Sequence, residues 1–423
     1  MDDDSKVRAP VSTGVRAPIG TGLGLCLSGG GYRAALLHLG AIRRLNELGL
    51  LGHVDTVSSV SGGSIVAAHL ALAVRPWPEP GVPFAAFEND VEQPLRKLMK
   101  TDIRTWPVMS RLLPWNWFRT DNGARQLAKQ YDHLLTNGAT WNVLADFPRF
   151  VLSATDMVFG TEWIFDTHTP VDDTGNGTVF ERRARTGSSQ VGYRPLGESE
   201  PLSIAVAASS CFPPIFNPFR GRCDPATFVG GEYLAAENPN RDRLVKAVAW
   251  SDGGLYDNLG LDPVWTTHSN LAVSDGGAVF KREVATWLIA RLFRYIDIGG
   301  NGGAEMRKRL LASNSDFTAA YWSLDSDIAD LEHPGEFSYS KGLVHEVIES
   351  IRTDLDDFDD HEQAVLENHG YALANAKVRE YLKDLQPAVQ APFALPFPGE
   401  TDEKVVRHEL RHSSRHSFFG VRW

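Results

Sequence analysis

The sequence predicts an α/β protein built on a mostly parallel sheet, with a cap insertion and a helical C-terminal extension. Three observations predict it. A strand-helix-strand-helix rhythm runs through residues 23–70, a proline- and aromatic-rich stretch over about 75–145 interrupts it, and helical apolar spacing sets in beyond about Arg282. Strands alternating with helices imply parallel pairing, because each crossover lays its helix on a face of the sheet.

Residues 1–22 carry Val-Arg-Ala-Pro twice, at Val7 to Pro10 and Val15 to Pro18, among Gly, Ser and Thr, and read as a flexible leader too short for a solenoid repeat. Leu23 to Leu27 is the first apolar strand. After Ser28-Gly29-Gly30-Gly31, a helix is expected from about Tyr32 to Leu48, with Ala35, Leu36, Leu39, Ile42 and Leu45 on one face and Gly49 as its stop. Val54 to Ser59 is the second strand, and an apolar helix begins near Ser64, which completes a βαβ unit. Pro76, Pro78, Pro80 and Pro83, the aromatic stretch Trp106 to Phe118 and a helix through Ala124 to Leu134 make up the cap.

Phe150 to Ala154 and Trp163 to Phe165 then read as a hairpin-like strand pair, followed by a polar loop over Asp172 to Gly177. Ser203 to Pro218 is a helix running into a loop, and a strand near Val245 to Trp250 leads to Asp252. Residues 23–280 are expected to form the main α/β domain and 281–423 a mainly helical region packed on it. In the latter, Leu343, Val344, Val347, Ile348 and Ile351 share a face, Asp360 with Gln363 suggests a capping box, and Gly370 a helix end.

Of the 423 residues, 43% are hydrophobic and 22% charged, the balance of a soluble globular protein with a sizeable core. A net charge of -11 argues against broad binding to nucleic acid or anionic membranes. Cys26, Cys211 and Cys223 are odd in number and widely spaced, which suits buried thiols in a reducing compartment. Met1 to Pro10 lacks the apolar core of a secretory signal, and no apolar run reaches the ~18 residues of a membrane span. The expectation is a cytoplasmic protein, at most peripheral to membranes.

In a parallel βαβ unit the loops after both strands open on one edge of the sheet, which places Gly29 to Gly31 beside Ser61. Three glycines at a helix N-terminus expose amides to a developing oxyanion, and Ser59-Val60-Ser61-Gly62-Gly63 approximates the G-x-S-x-G nucleophile elbow, with Ser59 in place of its first glycine. Ser58, Ser59 and Ser64 are weaker rivals. Neither a Walker A sequence nor G-x-G-x-x-G fits the glycines, so nucleotide binding is a minor alternative. For the base, Ser251-Asp252-Gly253-Gly254 and Ser274-Asp275-Gly276-Gly277 each follow an apolar run, and pattern alone does not separate Asp252 from Asp275.

The segments Ser28 to Ala34, Ser59 to Ser64 and Asp252 to Gly260 resemble, in order, the three signature blocks of patatin-like phospholipases, and the first two also resemble the related cytosolic phospholipases. Ala207 to Phe216 and Ala154 to Asp156 are similar to further family segments. The resemblance spans roughly residues 23–280. It implies a three-layer α/β/α sandwich and a serine lipid acyl hydrolase with a Ser61-Asp252 dyad and no catalytic histidine, cofactor or metal. It favours Asp252 over Asp275 because the family's acid precedes a D-N-like stretch. Arg33 would position the loop or approach a lipid phosphate.

The other function classes are a histidine-dependent esterase, for which Ser61, Asp252 and His268 or His333 stand in the right order, and a non-catalytic binding or signalling protein of the same fold. Trp106, Leu112, Leu113, Trp115, Trp117 and Phe118, interleaved with Arg104, Arg111 and Arg119, suggest peripheral membrane contact or packing within the cap. Asp354, Asp356, Asp357, Asp359 and Asp360 lack the glycine and final glutamate of an EF-hand and read as a helix cap. His408, His412 and His416 would stack on one helical face, in a solvated or partner-docking tail.

Overall fold

The structure, a computed structural model, describes residues 20–110, 113, 116, 120–167, 184–231, 239–280, 288–326, 328, 336–386, 391–418 and 421–422. β1 (Gly20–Leu27), α1 (Gly31–Glu47), β2 (Val54–Val60) and α2 (Gly62–Ala73) realise the expected βαβ unit. Leu23, Leu25 and Leu27 of β1 and Val57 and Val60 of β2 are fully buried, as strands with helices over their faces require.

β3 (Arg149–Asp156), β4 (Thr161–Asp166), β5 (Arg185–Ser188), β6 (Gly192–Pro195), β9 (His268–Asp275) and β10 (Thr318–Ser323) complete the path β10-β9-β1-β2-β3-β4-β5-β6. From β10 to β3 neighbours are parallel, and from β3 to β6 antiparallel, starting with the expected hairpin of β3 and β4. β7 (Phe219–Arg220) and β8 (Ala249–Asp252) attach to β3 through β8. Val245, expected in a strand, lies in the helix Arg241–Ala247, and β8 begins only at Ala249, where Arg220 of β7 and then Asp156 to Ala154 of β3 offer partners.

Helices flank the sheet, which gives the α/β sandwich. The insertion over 75–145 contributes Leu95, Leu98, Met99, Ile103 and, from α3 (Asn122–Tyr131), Leu127 and Tyr131 to the same core as the βαβ unit. Of its aromatic stretch, Trp106 is 53% exposed, while Arg111, Leu112, Trp115, Trp117, Phe118 and Arg119 lie outside the described residues, as do the leader through residue 19, the loop 172–177 and His333.

Beyond residue 280 the chain supplies α5 (Leu288–Ser313), the edge strand β10 and α6 (Asp360–Tyr381), with α4 (Leu202–Ser210) earlier in the chain. α6 packs along α1 at two glycines: a methyl on Gly40 would sit 1.9 Å from the Glu367 carbonyl oxygen, and one on Gly370 1.9 Å from that of Leu37. Gly370, expected to end the helix, therefore sits in its middle as a contact point. The capping box also falls one residue earlier than expected: the Asp359 side chain accepts from the Glu362 amide and the Glu362 side chain from that of Asp359, both at 2.9 Å. The three cysteines are buried and unbridged, and among the described residues no helix is long and apolar enough to cross a membrane.

Candidate active site

The loops after β1 and β2 touch. Leu27 pairs with Ser59 across the parallel ladder, the Gly63 amide donates to the Ser28 carbonyl at 3.1 Å, and a methyl on Gly62 would lie 2.1 Å from the Gly31 oxygen. Glycine at 62 is what lets the serine turn meet the glycine turn. Ser61 itself holds φ 52° and ψ -115°, a costly conformation for a residue with a side chain, immediately before the first turn of α2. Its amide donates to the Ser209 hydroxyl at 2.9 Å, and Ser209 in turn donates to the Ser153 carbonyl at 2.7 Å, so α4 anchors the strained residue.

Asp252 reaches Ser61 by an unexpected route. β4 occupies one edge of β3 along its whole second half, so β8 must use the edge that β2 vacates after Val60 pairs with Ser153. β2 and β8 thus approach end to end: Ser61 follows Val60, and Asp252 pairs with Ala154, the next residue of β3. Asp252 is 2% exposed. Burial pushes its carboxyl up to about 6, opposed by the Gly254 amide, which donates to it at 2.8 Å, and by the neighbouring Ser61 side chain.

The glycine turn divides into a support and two open donors. Gly29 donates its amide to the Asn258 carbonyl at 3.0 Å. The amides of Gly30 and Gly31, at φ 142° and 60°, have no acceptor among the described residues and stand at the N-terminus of α1. Asn258 fills the space between the loops, since methyls on Gly29, Gly254 and Gly277 would each meet its side chain within 2.6 Å.

These groups line a cavity of about 1030 Å³ that also takes in Phe212, Ile215, Phe216 and Leu255. Of Ser58, Ser59, Ser61 and Ser64, only Ser61 lines it. Ser59 and Ser64 bond to each other at 3.1 Å, and Ser64 to Ser209 at 2.8 Å; Ser59, where the elbow pattern has glycine, donates to the Val151 carbonyl.

Asp275 lines the same cavity from the end of β9, but its carboxylate is engaged by the Tyr321 hydroxyl at 2.9 Å, the Gly277 amide at 3.0 Å and the Lys308 ammonium at 3.4 Å. The buried Arg33 guanidinium donates to the carbonyls of Ile351 at 2.8 Å, Gly276 at 3.2 Å and Glu349 at 3.5 Å, the geometry of a loop clamp. His268 is removed as a base, because it sits at the start of β9, opposite Gly20, and its Nε2 contacts Asp55 at 2.6 Å on the other edge of the sheet.

Asp354 and His416 line the cavity although nothing in the sequence reading placed them there. His416 Nδ1 lies 2.5 Å from Asp354, whose backbone carbonyl accepts the Tyr32 amide at 2.8 Å. The histidines of the tail share no helical face: the helix Glu403–Glu409 ends before His412, and the chain folds back to bring His416 to the site. Among the described residues, Asp354, Asp356 and His416 form one cluster with metal-ligand spacing. Arg104 pairs with Asp354 and Arg352 with Asp356, so both carboxylates already hold a cation.

With the geometry in hand, three comparisons bear on the chain. The family model described as patatin-like phospholipase matches residues 25–265, a span holding Gly29 to Gly31, Ser61 and Asp252. Among solved structures, human GIVD cytosolic phospholipase A2 is similar at 12% identity and a TM-score of 0.45, covering 92% of this chain and 60% of that one. VipD from Legionella pneumophila is similar at 13% identity and a TM-score of 0.31, covering 86% of this chain and 68% of that one. This chain thus spans about 60% of the length of the human enzyme. No curated protein is matched.

Proposed function

The chain belongs to the patatin-like phospholipase family, and from that premise we propose that it is a serine lipid acyl hydrolase working through Ser61 and Asp252. Asp252, made more basic by burial, takes the Ser61 proton as Oγ attacks the ester carbonyl. The amides of Gly30 and Gly31 receive the oxyanion, while Gly29 holds the turn through Asn258. The protonated Asp252 passes its proton to the departing alcohol, and water then attacks the acyl-enzyme with the same carboxylate as base. No cofactor enters this scheme. The apolar residues of the cavity accommodate a fatty acyl chain. Phospholipids and related acyl esters are the proposed substrates, acted on by a protein in the cytoplasm.

The single observation that carries this reading is the placement of Ser61 and the buried Asp252 at strand ends that meet along one edge of β3 and line one cavity. A second reading draws on the contact between His416 and Asp354: a Ser61-His416-Asp354 triad with histidine as base. Hydrolysis of acyl esters by purified variants separates the two. The dyad predicts that Ser61→Ala and Asp252→Asn each lower kcat by about 10³-fold or more while His416→Ala stays within roughly tenfold. Full activity of Asp252→Asn with loss in His416→Ala would establish the triad instead.

A further inference from the structure

The outer side of α5 carries apolar side chains that the fold leaves uncovered. Leu288 is 69% exposed, Tyr295 65%, Ile298 51% and Met306 68%. At 3.6 residues per turn, Tyr295 and Met306 fall roughly two and five turns beyond Leu288, on one line, and Ile298 is one turn beyond Tyr295. The helix is fixed from its other side. Leu310 and Leu311 pack on the cluster of Leu259, Val264 and Val273, and Arg307 and Lys308 pair with Asp257 and Asp275. Tyr295 belongs both to this stripe and to the lining of the cavity that holds Ser61, and Phe280, 37% exposed beneath the Arg294 guanidinium, extends the apolar surface along the rim.

We propose that the exposed stripe of α5, Leu288, Tyr295, Ile298 and Met306, seats the protein on the surface of a neutral, zwitterionic lipid layer and turns the mouth of the Ser61 cavity toward it. The proposal rests on the hydrolase reading, because an acyl chain in a bilayer reaches a buried nucleophile only if the opening of the cavity faces the layer. Leu288, Tyr295, Ile298 and Met306 fall within an arc of about 80° that Arg291 and Arg309 share; exposed apolar side chains grouped beside a cavity mark an interaction surface, and an amphipathic helix lying in the interface plane has this form. Charge selects the kind of lipid. On the helix Arg307 and Lys308 are paired with Asp257 and Asp275, the half-buried Arg294 lies over Phe280, the exposed Arg291 and Arg309 stand against the exposed Asp297 and Glu305, and the chain as a whole carries -11, so attraction to an anionic layer is weak. Apolar burial then supplies most of the docking.

Cosedimentation with phosphatidylcholine vesicles tests this in the Ser61→Ala background, where binding is read without turnover. Bound protein is expected with phosphatidylcholine alone, unchanged by added salt, and Leu288→Asp combined with Met306→Asp lowers the partition by about tenfold or more. With Ser61 intact, that double variant, outside the cavity, hydrolyses a water-soluble short-chain ester within roughly twofold of the unmodified protein and loses its rate on vesicles. A double variant that binds vesicles normally overturns the proposal. So does binding that needs anionic lipid and vanishes in salt, or a dimer in sedimentation that the substitutions dissociate, which would give the face to a second copy. Lack of hydrolysis of any ester by the unmodified protein would strike the hydrolase reading and leave the vesicle result standing by itself.

Discussion

Two glycine-rich regions of this chain face one cavity and are built on opposite terms. Around Ser61 the glycines are demanded by contact: a methyl on Gly62 would press on the Gly31 carbonyl at 2.1 Å, and one on Gly31 on that of Asp354 at 2.4 Å. Along α5, Gly299, Gly300 and Gly302 have nothing within 4 Å of where a methyl would sit. The first region is a constellation whose Cα positions are set by close neighbours while the Gly30 and Gly31 amides stay open, the arrangement that stabilisation of a developing charge would require. The second is a helix weakened at its centre where packing does not ask for it, with exposed apolar residues before and after. On the proposed function, chemistry falls on the closely packed side of the cavity and access on the side where the glycines have room.

The sharpest way to break that contrast is a single methyl group. Gly62→Ala must push the serine turn away from the glycine turn, and a displacement of about 1 Å at the reacting atoms costs on the order of 10²-fold in rate. We expect kcat to fall at least that far in a protein whose circular dichroism is unchanged. A fully active Gly62→Ala would show that the two turns need not touch, and the rigid half of the comparison would fail.

The same contrast governs how much could be read from the sequence. Gly29 to Gly31 and Ser61 were legible because strand ends and turns are local features, and parallel pairing fixes which edge they share. The division of labour within the glycines was not, since Gly29 is committed by the carbonyl of Asn258, far along the chain. Asp252 was legible as a residue but not as a geometry: the sequence pattern also offered Asp275, and nothing in it says that β8 runs into the end of β2 along one edge of β3. Asp354 and His416 meet across 62 residues because the tail folds back. Gly370 misled for a related reason, as its lack of a side chain serves a neighbouring helix and not the end of its own.

A smaller effect probes what rigidity costs. Burial raises the Asp252 carboxyl from an ordinary 3.8 to about 6 in the folded protein. The folded state therefore holds this proton more tightly than the unfolded chain does, and stability from this group is lost as pH rises from about 4 through about 6. Above that window the ionised carboxylate costs on the order of 3 kcal/mol. Asp252→Asn should then melt at a higher temperature than the unmodified protein at pH 8, with the difference closing toward pH 4, although it is inactive. In the unmodified enzyme kcat/KM should fall below about pH 6, where the base becomes protonated. An acidic limb near pH 4, together with equal melting at pH 8, would mean that Asp252 is solvated and its surroundings open.

The smallest expected change lies in the loose region and completes the pairing with Gly62→Ala. Gly302 is exposed, lies outside the lining of the cavity and has room for a side chain, so Gly302→Ala should stabilise α5 by roughly 0.5–1 kcal/mol through reduced backbone entropy. Slower amide hydrogen exchange along Leu288 to Ser313 reads this directly, and turnover of a water-soluble ester should not change, because no group near Ser61 moves. If instead the methyl at 302 slows soluble-ester hydrolysis as the methyl at 62 does, α5 is coupled to the nucleophile and the cavity has one rigid wall throughout. If exchange is unaltered and the ester rate holds, the helix is already firm at its glycines, and access to the cavity is set by the exposed side chains of α5 and not by its flexibility.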